Sequence, residues 1–143
     1  MECEFPTVNS TSEEIIEILK NVKTIAVMGL SPDSSKPSFY VSEYMQEQGY
    51  KIYPVYPKGD LILGEKVYRS LSEIPEAIDC VNIFRKPAAV DPIVDEALKR
   101  DDVKVIWTQV GIVNNSAAVK AQNEGLQVIQ NKCLMIEHRA IKG

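Results

Sequence analysis

Apolar residues follow two alternating rhythms along this chain. Short, nearly continuous apolar runs at 24–29, 51–56, 79–84, 104–107 and 126–129 predict buried strands. Between them, apolar positions recur at helical spacing. Thr11 and Glu14 stand in capping-box register ahead of Ile15, Ile16, Ile18 and Leu19, which predicts a helix over 12–21. Pro37 suits a first helical turn, and Val41, Tyr44, Met45 and Gln48 share one face of a helix over 38–48 that Gly49 ends. Further helices are predicted over 90–99 and over 115–124, the latter stopped by Gly125. Val67 and Tyr68 suggest a short edge strand, and 72–75 a brief helical turn. Residues 1–10 read as a loose arm, and the tail as room for a short final helix.

Strands alternating with helices predict a single α/β domain over 1–143, with a mostly parallel sheet covered on both faces. Crossovers should be right-handed. On such sheets ligands bind beyond the carboxyl ends of the strands, where strand order reverses. The informative residues are therefore those just after strands: 29–36, Pro57 and Lys58, Phe84 to Lys86, and 108–113.

Composition narrows the choice. The 143 residues are 45% hydrophobic and 25% charged with a net charge of −4, an ordinary globular balance. No overall basic field draws the chain to nucleic acid or anionic lipid, so any anion site is built locally. No apolar run approaches the roughly 18 residues that a membrane span needs. The acidic start lacks the apolar core of a secretory signal. Cys3, Cys80 and Cys133 are odd in number and widely spaced, which fits reduced thiols in a cytoplasmic protein. A single histidine, His138, excludes His-rich metal sites.

The end of the second strand carries the most informative charge. A dinucleotide site places Asp or Glu there, to bond a ribose hydroxyl. This chain has Pro57-Lys58. A cation suits a phosphorylated ribose: the 2′-phosphate of NADP or the 3′-phosphate of coenzyme A (CoA). The loop after the first strand, Gly29-Leu30-Ser31-Pro-Asp-Ser34, has serine where a dinucleotide fingerprint has its second and third glycines. That weakens an NAD or FAD reading and leaves anion binding through a helix start, serine hydroxyls and Lys36. The helix dipole contributes ~0.3–1 kcal/mol and each bond to a charged phosphate roughly 1.5–3. Micromolar affinity needs about 8 kcal/mol net, after an association cost of at least ~4. The loop alone is insufficient, so an adenine slot and further cations are expected. Lys36, Lys58, Arg85 and Lys86 follow three different strands at one edge of the sheet.

Several stretches resemble the small standalone CoA-binding proteins, relatives of the nucleotide-binding domain of the succinyl-CoA synthetase alpha subunit. They are Ile25-Ala-Val-Met-Gly-Leu-Ser31 with Lys36-Pro37-Ser38, Gly49-Tyr-Lys-Ile-Tyr-Pro-Val-Tyr-Pro57, Leu63-Gly-Glu-Lys-Val-Tyr68 with Ser70-Leu71 and Ile74-Pro75, and 79–85. Trp107-Thr-Gln-Val-Gly-Ile-Val-Asn114, 125–133 and Ile136-Glu137 complete the set. The resemblance implies a Rossmann-like sheet of about five parallel strands in the order 3-2-1-4-5. It implies CoA phosphates over Gly29, Leu30 and Ser31 and near Lys36, with Lys58 approaching the nucleotide. Phe84 and Arg85 match the family's Phe-Arg. Thr108, Gln109 and Val110 align with a segment that ends in Glu in the synthetase, and Val110 replaces that acid. Asn131-Lys132-Cys133 stands where the family tends to Asp-Arg-Cys, and Leu30 where many relatives have alanine.

The synthetase works through a phosphorylated histidine and a separate ATP-binding subunit, and these residues hold neither region. His138 reads as a surface histidine. Cys133 reads either as a thiol facing the site or as a buried small hydrophobe, and Cys80 as core. Trp107 and Phe84 suit either an adenine contact or core packing. Three functions follow as expectations: a CoA or acyl-CoA binding protein without catalytic machinery, acting as sensor or carrier; an NADP-binding reductase or redox sensor; and a partner domain acting through its surface. Small domains of this architecture commonly pair through a helix or a sheet edge, so a homodimer is a further expectation.

Overall fold

A computed structural model describes residues 5–142. The acidic start and Cys3 lie outside that range. In chain order the elements are α1 (Ser12–Asn21), β1 (Thr24–Met28), α2 (Pro37–Glu47), β2 (Lys51–Val55), β3 (Leu61–Ile62) and β4 (Glu65–Lys66). A 3₁₀ turn (Leu71–Glu73) then leads to β5 (Cys80–Ile83), α3 (Pro87–Leu98), β6 (Val105–Thr108), α4 (Asn115–Asn123), β7 (Gln127–Ile129) and α5 (Leu134–Lys142).

Five strands form one parallel sheet in the order β2-β1-β5-β6-β7. Counted among themselves these strands run 2-1-3-4-5. Tyr68 adds a single parallel bridge to Val55 outside β2. Counting it as a rudimentary third strand restores the expected 3-2-1-4-5 run, with β7 as a sixth. The order reverses between β1 and β5, and that is where a crevice opens.

The apolar pattern explains the layers. Along each strand, successive side chains point to opposite faces. Ala26, Met28, Val81, Ile83 and Ile106 join the core under α3 and α4. Ile25, Val27, Cys80, Val105 and Trp107 join the core under α1, α2 and α5. Thr11 and Glu14 form the expected reciprocal cap of α1, at 3.2 and 2.7 Å.

Three expectations change. The third long helix starts at Pro87 rather than at 90, because Pro87 suits its first turn; Pro92 lies inside it. Residues 5–10, expected within a loose arm, are tied down beside β7. Asn9 and Gln130 exchange bonds of 3.1 and 3.0 Å, Ser10 Oγ donates to Val128 O at 2.9 Å, and Gln130 Nε2 donates to Val8 O at 2.9 Å. His138 sits on α5, half-buried against the rings of Tyr44 and Tyr50, rather than on an open surface.

Candidate functional site

The site begins where β1 ends. Gly29 has φ +86°, and a Cβ on it would lie 2.7 Å from Phe84 O and 2.9 Å from Arg85 Cδ. Only glycine lets the loop after β1 lie flat against the loop after β5. The requirement is internal to the protein, and it joins the two strands at the reversal point.

Beyond Gly29 the loop holds itself with side chains. Ser31 N–H donates to Ser38 Oγ at 3.0 Å, and Ser31 Oγ accepts from Asp33 N–H at 3.1 Å. One Asp33 oxygen accepts from both Ser35 N–H and Ser35 Oγ, at 2.9 and 2.7 Å. Those bonds, with Lys36 nearby, hold the Asp33 carboxyl below the usual carboxylate range. Leu30 is buried, and the backbone N–H groups of Leu30 and Ser34 have no partner among the described residues.

Two helix starts flank this loop. α2 opens with Lys36 then Pro37, and α3 with Lys86 then Pro87; neither has a side-chain cap. By contrast, α1 and α4 are capped by Thr11 and Asn114. Uncapped starts leave N–H groups and the positive ends of helix dipoles open at the crevice.

Two cavities meet there. The first encloses about 620 Å³ on the α3 side, between the ends of β1, β2 and β5 and the first turns of α3. Tyr56, Pro57, Arg69, Ser70, Pro92 and Ile93 line it. Arg69 donates to Tyr56 O at 3.1 Å and to Gly59 O at 2.9 Å, which fixes its guanidinium on the wall. Glu96 also lines this cavity and accepts from Ser72 N–H at 3.0 Å. The second cavity encloses about 410 Å³ between α2, the end of β6 and the start of α5. Phe84 and Arg85 belong to both walls. No salt bridge or hydrogen bond engages the Arg85 side chain among the described residues.

The residues expected from sequence divide into three groups. Gly29, Pro57, Phe84, Arg85, Gln109 and Val110 line a cavity. Lys36, Lys58 and Lys86 are exposed at the same edge and line neither. The side chains of Leu30, Ser31 and Thr108 serve the protein itself: Leu30 is buried, Ser31 Oγ accepts from Asp33 N–H, and Thr108 Oγ1 donates to Ile112 O at 2.6 Å and accepts from Asn131 N–H at 3.2 Å. Asn131 keeps the acceptor role open to an acid there, since its Oδ1 takes Gly111 N–H at 2.7 Å. Trp107 is fully buried, with Nε1 on Lys132 O at 2.9 Å, so it faces no ligand. Cys133 is buried and lines the second cavity; Cys80 is core, and burial pushes its thiol far up.

Sequence reasoning missed Arg69, Ser70, the α3 wall and the α5 wall. Arg69 was within reach, because it follows the short strand expected at Val67 and Tyr68. The walls come from helix packing, which periodicity does not locate.

Comparison with known proteins gives this geometry a family. A family model described as a CoA-binding domain matches residues 23–139. The chain is 40% identical over 134 residues to the uncharacterized protein YneT of Bacillus subtilis, covering 94% of this chain and 98% of that one. It is 38% identical over 97 residues to the alpha subunit of an ADP-forming acetate–CoA ligase from Pyrococcus furiosus, which spans 64% of this chain and 21% of the subunit. A solved hypothetical protein from Pyrococcus horikoshii superposes with a TM-score of 0.90 at 39% identity, covering 100% of both chains. Another solved protein, from Thermus thermophilus, gives 0.86 at 34% identity over 92% of this chain and 99% of its own. With the model spanning nearly the whole sheet and its crevice, this chain belongs to the CoA-binding domain family.

Proposed function

We propose that this protein binds coenzyme A at the crevice between β1 and β5, and serves as a sensor or carrier of CoA species without catalytic machinery of its own. The observation that carries the reading is a pair of adjoining cavities that share Phe84 and Arg85. Gly29 lines the first, two uncapped helix starts stand beside them, and arginines lie on their walls.

The residues present fit the ligand. CoA couples a phosphorylated nucleotide to a pyrophosphate and a long thiol arm. The first cavity offers Tyr56, Pro57, Pro92 and Ile93 to an adenine ring. Arg69, on the same wall, suits the ribose phosphate, because a planar guanidinium pairs well with phosphate oxygens. Lys58 stands at the adjoining rim and adds charge. The free N–H groups of Leu30 and Ser34, with the α2 start and Lys36, suit the pyrophosphate. The Asp33 carboxylate opposes an anion there, and its turn toward Ser35 limits the repulsion. These contacts supply the adenine slot and the additional cation that the loop alone lacks.

Calorimetry with CoA, dephospho-CoA and NADP tests the reading. CoA should bind in the micromolar range and more tightly than either of the others. Arg69→Gln should weaken CoA about tenfold, or about 1.4 kcal/mol, while weakening dephospho-CoA much less. Tighter binding of NADP, or no CoA binding below millimolar concentration, contradicts it.

A further inference from the structure

We infer that the second cavity receives the acyl chain of a CoA thioester, so that the preferred ligand is an apolar acyl-CoA rather than free CoA. The inference rests on the CoA reading above and deepens it.

Four observations carry it. First, this cavity adjoins the first one: Phe84 and Arg85 form part of both walls, and it lies on the opposite face of the sheet. A ligand whose nucleotide occupies one side and whose phosphates cross Gly29 directs its far end here. Second, apart from Arg85 and Gln109, the lining is apolar or aromatic, including Val41, Ile112, Cys133 and Met135.

Third, large apolar side chains are left in water at its mouth. Tyr40 is 43% exposed, Val110 63% and Ile136 56%. They come from α2, the loop after β6 and α5, and the cavity brings them together. Scattered exposed apolar residues need no explanation, whereas a cluster rimming a cavity marks a binding surface. Fourth, Gln109 is only 6% exposed, yet just one end of its amide is used. Its Oε1 accepts from Leu134 N–H at 3.2 Å, and its Nε2 has no partner among the described residues. An unpaired N–H₂ donor on the cavity wall suits a carbonyl, such as that of a thioester or of the amides leading to it.

Away from Arg85, the apolar lining disfavours a charged acyl group, because a carboxylate would lose its hydration there. A straight alkyl chain loses nothing of that kind. Each fully buried methylene strengthens binding about fourfold. For a chain that remains partly exposed, hexanoyl-CoA should bind about tenfold more tightly than free CoA.

The test is parallel calorimetric titration of the protein with free CoA, hexanoyl-CoA and succinyl-CoA. The inference expects hexanoyl-CoA to bind about tenfold more tightly than free CoA, with no such gain for succinyl-CoA. In Ile136→Asp, and independently in Tyr40→Ser, the hexanoyl advantage should shrink to about threefold or less; both positions are exposed, and thermal melts check that each variant folds. Free CoA binding with no gain from the chain overturns this inference alone. An equal gain for succinyl-CoA, or a hexanoyl advantage that survives both variants, overturns it too. Binding of none of the three overturns the CoA reading and this inference with it.

Discussion

Gly29 is the residue on which the crevice depends. Gly29→Ala places a methyl group against Phe84 O and Arg85 Cδ, in a backbone region that alanine rarely adopts. Thermal and urea melts should show a loss of about 2 kcal/mol or more; an unchanged midpoint would mean that the two loops are not held together there. At the opposite end of the sheet, Asp102 shows a residue whose role is purely structural. Its carboxylate takes two bonds from Arg100, at 3.0 and 2.8 Å, and one from Ile78 N–H at 2.9 Å. The Arg100 bond is the main reason that its pKa falls to about 2. A depressed carboxyl stabilises the fold above the unfolded value of about 4 and loses that contribution as pH falls toward about 2. Asp102→Asn should therefore cost about 1–2 kcal/mol at pH 7, and the difference from wild type should fade in urea melts below pH 3. A difference that persists unchanged at acid pH would refute the ionic account. Cavity-lining residues were legible in the sequence where they closely follow a strand, as Gly29, Pro57, Phe84 and Arg85 do. Trp107 was ambiguous because a strand-end position does not say which face its ring joins.

At the scale of elements, β1, β2, β5, β6 and β7 lie within a residue or two of their apolar runs, since strands buried on both faces leave a continuous signal. The ends of helices were read less well. α3 begins at Pro87 because proline fixes a first-turn geometry, a signal that competes with the apolar spacing further along. α5 shows what a polar-looking tail conceals. Its His138 is half-buried, with Nδ1 at 2.9 Å from Tyr44 Oη. Burial, with the charge of Lys142, lowers its pKa below the ordinary histidine value. Lys20 and Lys23 line the same recess, and Arg139 lies over the Tyr44 ring, so every charged neighbour named here is also a cation. The unfolded chain then binds a proton more readily than the native one, and stability falls as pH drops through and below about 6.5. Urea midpoints between pH 7.5 and 5.5 should fall more for wild type than for His138→Phe, which keeps a ring against Tyr44 and Tyr50. Equal pH dependence in both would dissociate His138 from α5 docking.

The two ends of the sheet differ: one is more closely bonded and holds a smaller cavity of about 210 Å³, and the other is more open. At the amino ends of the strands, Asp79 Oδ2 accepts from Lys23 and Thr24 N–H, and Arg100 donates to the carbonyls of Leu71, Ile74 and Glu76. At the carboxyl ends lie two cavities, two uncapped helices and the exposed Lys36, Lys58, Arg85 and Lys86, in a chain of net charge −4. Residues 5–10 cover the β7 edge, and Tyr68 with its bridge covers that of β2. Unpaired edges invite association, so these covers favour a helix face over a sheet edge for any homodimer. Among the described residues no helix is long and apolar enough to cross a membrane. The fold class and the cationic edge were legible from alternation and strand ends, and the reversal point from the strand order that the family resemblance implies. The two-sided crevice was not, because it comes from α3 and α5 packing against opposite faces of one sheet. Following backbone amide resonances by NMR during a CoA titration tests the central claim most directly. Shifts should concentrate at Gly29, Leu30, Ser34, Arg69, Phe84, Arg85 and Gln109, on both sides of the sheet's carboxyl edge. No shifts at millimolar CoA, or shifts centred on Asp79 and Lys104 at the other end, would contradict the account.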